Sequence, residues 1–153
     1  MKKRGGRHVP GRTGEDHTER MERWAEARLH ELSRVGLCGY ICKKDSPSSG
    51  MERVKVYGGE GAPSRTGAGI FTRMFMDRFP LIPVEEEGRL ADPVLREKLI
   101  ERIFCLRRFR DLLARPISRG SPAAFHTYHG MLLPSHDRSS VEELGRTGAG
   151  ARR

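Results

Sequence analysis

Apolar residues recur at three- and four-residue steps through Met21, Trp24, Ala25, Leu29, Leu32 and Val35. That spacing lines one face of an amphipathic helix, interrupted by Arg28. The helix is predicted to begin near Asp16, where Asp16 and Glu19 stand at capping-box spacing. It should end at Gly36, a residue suited to the left-handed cap. "LCGYICK" (37–43) follows as a short buried strand, and a Ser-Pro-Ser-Ser-Gly turn (46–50) breaks the apolar pattern. "MERVKVY" (51–57) then alternates, with Val54 and Val56 on one face and Arg53, Lys55 and Tyr57 on the other, which predicts a second strand. The glycine-rich stretch 58–69 reads as a flexible connector. It lacks the Gly-Lys-Ser/Thr ending of a phosphate-cradling loop.

The second half is mostly helical in its pattern. "IFTRMFMDRF" (70–79) is amphipathic and stops at Pro80. Residues 80–90 read as an extended turn carrying an acidic cluster. Asp92 followed by Pro93 is a strong helix start, since aspartate caps the orphan amides and proline has no amide to lose at the first helical position. Leu95, Leu99, Ile103, Leu106, Phe109 and Leu113 trace one stripe down to Arg115-Pro116. Ser121 and Pro122 open a further helix, "AAFHTYHGMLL", which Pro134 ends. The fold class that follows is an α/β fragment, a partial Rossmann-like layer of helix, strand, loop and strand, followed by an α-helical segment. The basic stretches 1–14 and 146–153 have no periodicity and read as disordered tails. "RTGAG" occurs at both 65–69 and 146–150, and two copies in arginine- and glycine-rich sequence do not make a repeat architecture.

Composition narrows the class. Hydrophobic residues make up 36% and charged residues 32% of the 153 positions, so the chain reads as soluble with a modest core. No apolar run nears the roughly 20 residues of a membrane span. The N-terminus starts basic without the apolar stretch of a secretory signal, which points to the cytoplasm. A formal net charge of +9 predicts non-specific attraction to polyanions. A basic nucleic-acid-binding accessory protein is therefore one functional class, although the low aromatic content offers no stacking platform. The three cysteines, an odd count, argue against a disulfide framework. Cys38 and Cys42 form a C-x₃-C pair that can hold metal, although two ligands alone rarely do, and they fall on one face of the predicted strand, where packing is the natural role. Cys105 lies within the long helix, beside its stripe.

Three groups could carry chemistry. Ser46 and Ser48 suit a structural role in satisfying turn amides, and their candidacy for catalysis follows only from the family resemblance given below. Glu85, Glu86 and Glu87 with Arg89 could suggest acid–base work. Paired carboxylates need burial and opposed environments for that, and three adjacent glutamates beside Gly88 suit the surface; a joint between two domains, pairing with arginine or helix amides, follows only from the family resemblance given below. His126, His129 and His136 lie near one another in sequence and suit metal binding or proton transfer. No acidic fourth ligand has fixed spacing, so no metal is assigned.

Longer stretches carry a resemblance. "GYICKKDSPSSGMERVKVY", "GAGIF" and "FPLIPVEEEGRLADPVLREKLIERIF" resemble the later part of the bacterial thiouracil desulfurase family. "FHTYHGMLLPSHDRSSVEELG" (125–145) resembles the opening of a YbgA-like domain, which is often fused to it. The resemblance implies a partial desulfurase-type domain over 15–90 and the start of a YbgA-like domain over 91–145. It implies an ancestral role in removing sulfur from a thiolated pyrimidine at a [4Fe–4S] cluster held by three cysteines. Two of those cysteines belong to an N-terminal half, near Cys-Leu-Leu-Gly-like and Cys-Pro-Glu-like motifs that this chain lacks. The third stands in a Ser-Pro-Ser-Cys-Gly loop, at the position of Ser49 here. A serine hydroxyl is a poor iron ligand beside a thiolate. The departures imply a truncated, inactive chain with no cofactor of its own, or one whose missing half comes from a separate chain.

Overall fold

The computed structural model describes residues 17–52, 54–56 and 64–116, together with 120, 124, 125, 127 and 129. The predicted tails at 1–14 and 146–153 lie outside the described residues. The chain divides into a compact unit ending at Ile103 and another beginning at Phe104.

In the first unit, α1 (Thr18–Leu32) leads into β1 (Tyr40–Cys42), then β2 (Val54–Val56), β3 (Ser64–Gly67), α2 (Ile70–Arg78) and β4 (Val84–Glu86). A short 3-10 turn at Arg89–Ala91 precedes α3 (Pro93–Leu113), which carries the chain into the second unit. This is an α/β unit followed by a helix, as the pattern predicts. β1 and β4 run parallel, with Tyr40 opposite Val84, Ile41 opposite Glu85 and Cys42 opposite Glu86. α2 lies in the crossover between them, as parallel strands require a long connection. β2 and β3 form a separate antiparallel pair. The predicted strands at 37–43 and 51–57 therefore take different partners, and the glycine-rich connector supplies one of them, β3. The acidic segment read as an extended turn is β4.

The core sits between α1, α2 and the β1–β4 pair. Ala25 and Leu29 of α1 are buried, as are Ile70, Phe71 and Phe75 of α2, Cys42 of β1 and Ile82. Phe75 is 1% exposed, and burying such a ring contributes about 1.5–3 kcal/mol. Its ring lies 4.6 Å from Tyr40 and 5.0 Å from Phe79. Trp24 leans on Phe71 at 5.5 Å yet stays 54% exposed, and Val35 sits in the turn beyond α1 at 65%, so the α1 stripe is only partly core.

Helix ends follow local chemistry. The Asp92 side chain accepts the Val94 amide at 2.8 Å, and the Asp92 carbonyl accepts the Arg96 amide at 3.0 Å. Gly36 adopts φ +69°, the left-handed backbone that closes the turn after α1. At the other end of α1 the predicted capping box rests in part on a residue that is not described. The N-cap is His17, without a side-chain cap, and Asp16 lies outside the described residues.

In the second unit, Leu106 of α3 is buried, while Leu113 ends the stripe 53% exposed. Arg107 pairs with Asp111 one turn on at 3.1 Å. The Phe125 ring packs 5.7 Å from Phe109 and 4.4 Å from His129.

Candidate functional site

The Ser46–Gly50 loop is clamped at both ends. The Gly50 amide donates to the Ser46 carbonyl at 2.8 Å, which closes the turn. Ser46 Oγ accepts the Ser49 amide at 3.2 Å and lies 3.2 Å from Ser48 Oγ. Asp45 enters the loop at φ +55°, a left-handed backbone that aspartate tolerates better than most residues. Beyond the loop, the Gly69 amide donates to the Gly50 carbonyl and the Phe71 amide to the Ser48 carbonyl, each at 2.8 Å. The first amides of α2, which have no partner within their own helix, are thus met by loop carbonyls.

Two features make this seat tight. A Cβ on Gly69 would come within 2.4 Å of the Ser48 carbonyl carbon and 2.5 Å of the Ser49 amide nitrogen, so only glycine fits there. Thr72, fully buried on α2, donates its hydroxyl proton to the Ser49 carbonyl at 2.7 Å. With that proton committed, the Tyr40 hydroxyl at 3.4 Å must donate to Thr72 Oγ1. A chain of hydrogen bonds from β1 through α2 therefore fixes the backbone of residue 49. Burial raises the Tyr40 pKa and keeps its phenol protonated.

The acidic motif holds the strand ends around the loop. Glu86 is 4% exposed, and its Oε1 accepts the Met51 amide at 3.1 Å and the Glu52 amide at 3.5 Å. Its burial departs from the surface joint read for the three glutamates. Glu85 pairs with Arg89 at 3.0 Å, and Arg89 pairs in turn with Glu52 at 2.8 Å. Glu87 accepts the Lys44 amide at 2.6 Å and pairs with Lys43 at 2.8 Å. The Lys43 ammonium holds the Glu87 carboxyl below its usual range, and Glu87 raises Lys43 in return. The amides these glutamates bind belong to the exits of β1 and of the loop and, for Glu85, to Glu86 within β4, not to a helix. The arrangement positions backbone.

The donor set does not fit an iron–sulfur cluster. The loop offers three hydroxyls, from Ser46, Ser48 and Ser49. Cys42 is buried, donates to the Glu85 carbonyl at 3.4 Å, and has its thiol pKa pushed up to about 11 by burial and then by the Glu86 charge. Such a thiol resists the deprotonation that ligation needs. Cys38 donates to the Gly36 carbonyl at 3.5 Å and lies outside β1, so the two cysteines do not share a strand face. Burial raises the Cys105 pKa as well. Among the described residues there is no group of three His, Cys, Asp or Glu side chains that could hold a metal.

Of the histidines, His129 is 3% exposed in the second unit, while His126 and His136 lie outside the described residues. Burial, then the positive charge of Arg108, lowers the His129 pKa. The residues that sequence reasoning missed are Gly69, Thr72 and Tyr40. Their one visible signal is a glycine immediately before the apolar face of α2.

The 2-thiouracil desulfurase family model matches residues 1–87 of this chain. Neither a search of curated proteins nor one of solved structures found a match.

Proposed function

The chain belongs to the 2-thiouracil desulfurase family, and on that premise we propose that its first unit is a desulfurase scaffold that keeps the substrate-side loop but does not itself turn over a thiolated pyrimidine. The observation that carries the reading is the Ser46–Gly50 loop. Its backbone is held at Ser48, Ser49 and Gly50 by α2, yet residue 49, the position of the family's cluster cysteine by resemblance, offers a hydroxyl. A serine oxygen binds iron weakly without losing its proton, and the two nearest thiols in sequence are engaged with carbonyl oxygens. A complete site would need thiolates that these residues do not supply, and a chain that carries them is the partner this reading would take. The residues beyond α3 that resemble a YbgA-like domain belong, on this reading, to a fused second function.

Sulfur removal replaces a thiocarbonyl by a carbonyl, with water supplying the oxygen and hydrogen sulfide leaving. The test is anaerobic incubation of the full chain, after treatment with iron and sulfide followed by desalting, with 2-thiouracil. Sulfide release and uracil formation are measured together. The proposal expects neither above the buffer rate. Repeated turnovers from the chain alone would overturn it.

A further inference from the structure

The second unit carries a cleft that the desulfurase reading does not use. It is an open depression of about 560 Å³ between the end of α3 and the helical residues Phe125 and His129. That volume lies within the usual range for a small-molecule site. Its walls divide by chemistry. Arg108, Arg115 and His129 line it with nitrogen donors, Leu112 and Phe125 give an apolar wall, and Asp111 adds a carboxylate. Two arginines line the cleft, Arg108 with its guanidinium 5.9 Å over the Phe104 ring, and such planar forks of donors favour a phosphate. The Phe125 ring lines the cleft and is braced by tilted contacts with Phe109 at 5.7 Å and His129 at 4.4 Å, which makes it an aromatic wall for a flat ring. Asp111 can accept from an N–H on such a ring.

We propose that this cleft binds a phosphorylated nucleoside, with the phosphate on Arg108 and Arg115 and the base against Phe125. The proposal is independent of the desulfurase reading, since no residue of the Ser46–Gly50 loop takes part. Three charged groups, Arg108, Asp111 and Arg115, line the cleft with His129. Neutral His129 in the free protein gains a proton more readily once a phosphate offsets the Arg108 charge beside it.

The test is calorimetric titration of the full chain with uridine monophosphate, uridine and inorganic phosphate. Saturable binding of the monophosphate, with uridine and phosphate each much weaker, is expected. R115Q alters a solvent-exposed side chain and should leave the circular dichroism spectrum unchanged while weakening binding roughly tenfold to a hundredfold, as loss of a charge-assisted pair does. R108Q should act in the same direction. A short oligouridylate separates the two sources of this chemistry. Tighter binding than the monophosphate, still lost in R115Q, assigns the site to a nucleotide within RNA, and equal binding assigns it to a free nucleotide. Absence of saturable binding by a folded chain would overturn the proposal. Equal affinity for uridine, or an affinity unchanged in both arginine variants, would do so as well.

Discussion

Replacing Gly69 by alanine places a methyl group where the Ser46–Gly50 loop already stands. The new Cβ would lie 2.4 Å from the Ser48 carbonyl carbon, 2.5 Å from the Ser49 nitrogen and 2.6 Å from the Ser48 oxygen. Carbon–carbon contact is comfortable only at about 3.5–4.0 Å, so backbone must move by roughly 1 Å or more. No flexible side chain can give way, since all three atoms belong to the main chain. Gly69 itself has φ −59°, so backbone strain is absent and the whole effect is steric. Moving the loop stretches the Gly69–Gly50, Phe71–Ser48 and Thr72–Ser49 hydrogen bonds, now 2.8, 2.8 and 2.7 Å. Overpacking costs about 1–3 kcal/mol, and the three hydrogen bonds, stretched rather than broken, together add about 1–2 kcal/mol. A loss of roughly 2–5 kcal/mol is expected, a large part of the ~5–15 kcal/mol that holds a small domain. Urea denaturation of the full chain measures it. Gly88→Ala is the control, because its backbone is already helical at φ −66°, ψ −28° and its added Cβ meets only the end of Lys44 at 3.3 Å. That variant should lie within about 0.5 kcal/mol of the parent. A Gly69→Ala protein equally close to the parent would show that the loop is not seated on α2, and the site as described would fall.

Thr72→Val keeps the shape of a fully buried side chain but strands the Ser49 carbonyl and the Tyr40 hydroxyl, so denaturation should show a loss of about 1–3 kcal/mol. Cys42, with its thiol pKa near 11 against 9.0 for an ordinary cysteine, should alkylate roughly a hundredfold more slowly than an exposed thiol at neutral pH, as peptide mapping after iodoacetamide treatment would reveal. The unfolded chain gives up that proton first. The stability tied to the neutral thiol is therefore full below pH 9.0 and falls as pH rises towards about 11, which denaturation midpoints across that window would track. Asp92→Ala removes the side-chain cap of α3 and should cost about 1 kcal/mol, read as a lower melting temperature.

The helices were legible because their signals are local. Asp92-Pro93 marks the start of α3, Gly36 supplies the left-handed turn after α1, and a dense apolar run sets α2. The strands were legible only in part. β1, β2 and β4 are three residues long, too short for alternation to declare a partner, and β1 pairs with a strand more than forty positions away. β3 hid in glycine-rich sequence that reads as a linker. Glu86 shows the same limit, because three adjacent glutamates look alike until the β1–β4 register brings one of them into the core beside Cys42. The serine at position 49 was visible from its motif. What holds its backbone was not, because Thr72 and Gly69 lie some twenty residues along the chain, on a helix whose polar positions carry no signal of their own.

Iron content after anaerobic reconstitution tests the central claim most directly, that this chain keeps the loop of a desulfurase without the ligands for its cluster. The full chain and its Ser49→Cys variant are incubated with iron and sulfide, desalted, and assayed for iron and for the brown charge-transfer absorbance of an iron–sulfur centre. Both should emerge without stoichiometric iron, because a single new thiolate at position 49 still lacks its partners while Cys42 stays buried and protonated. About four iron per chain, with the matching absorbance, in the unaltered protein would contradict the account.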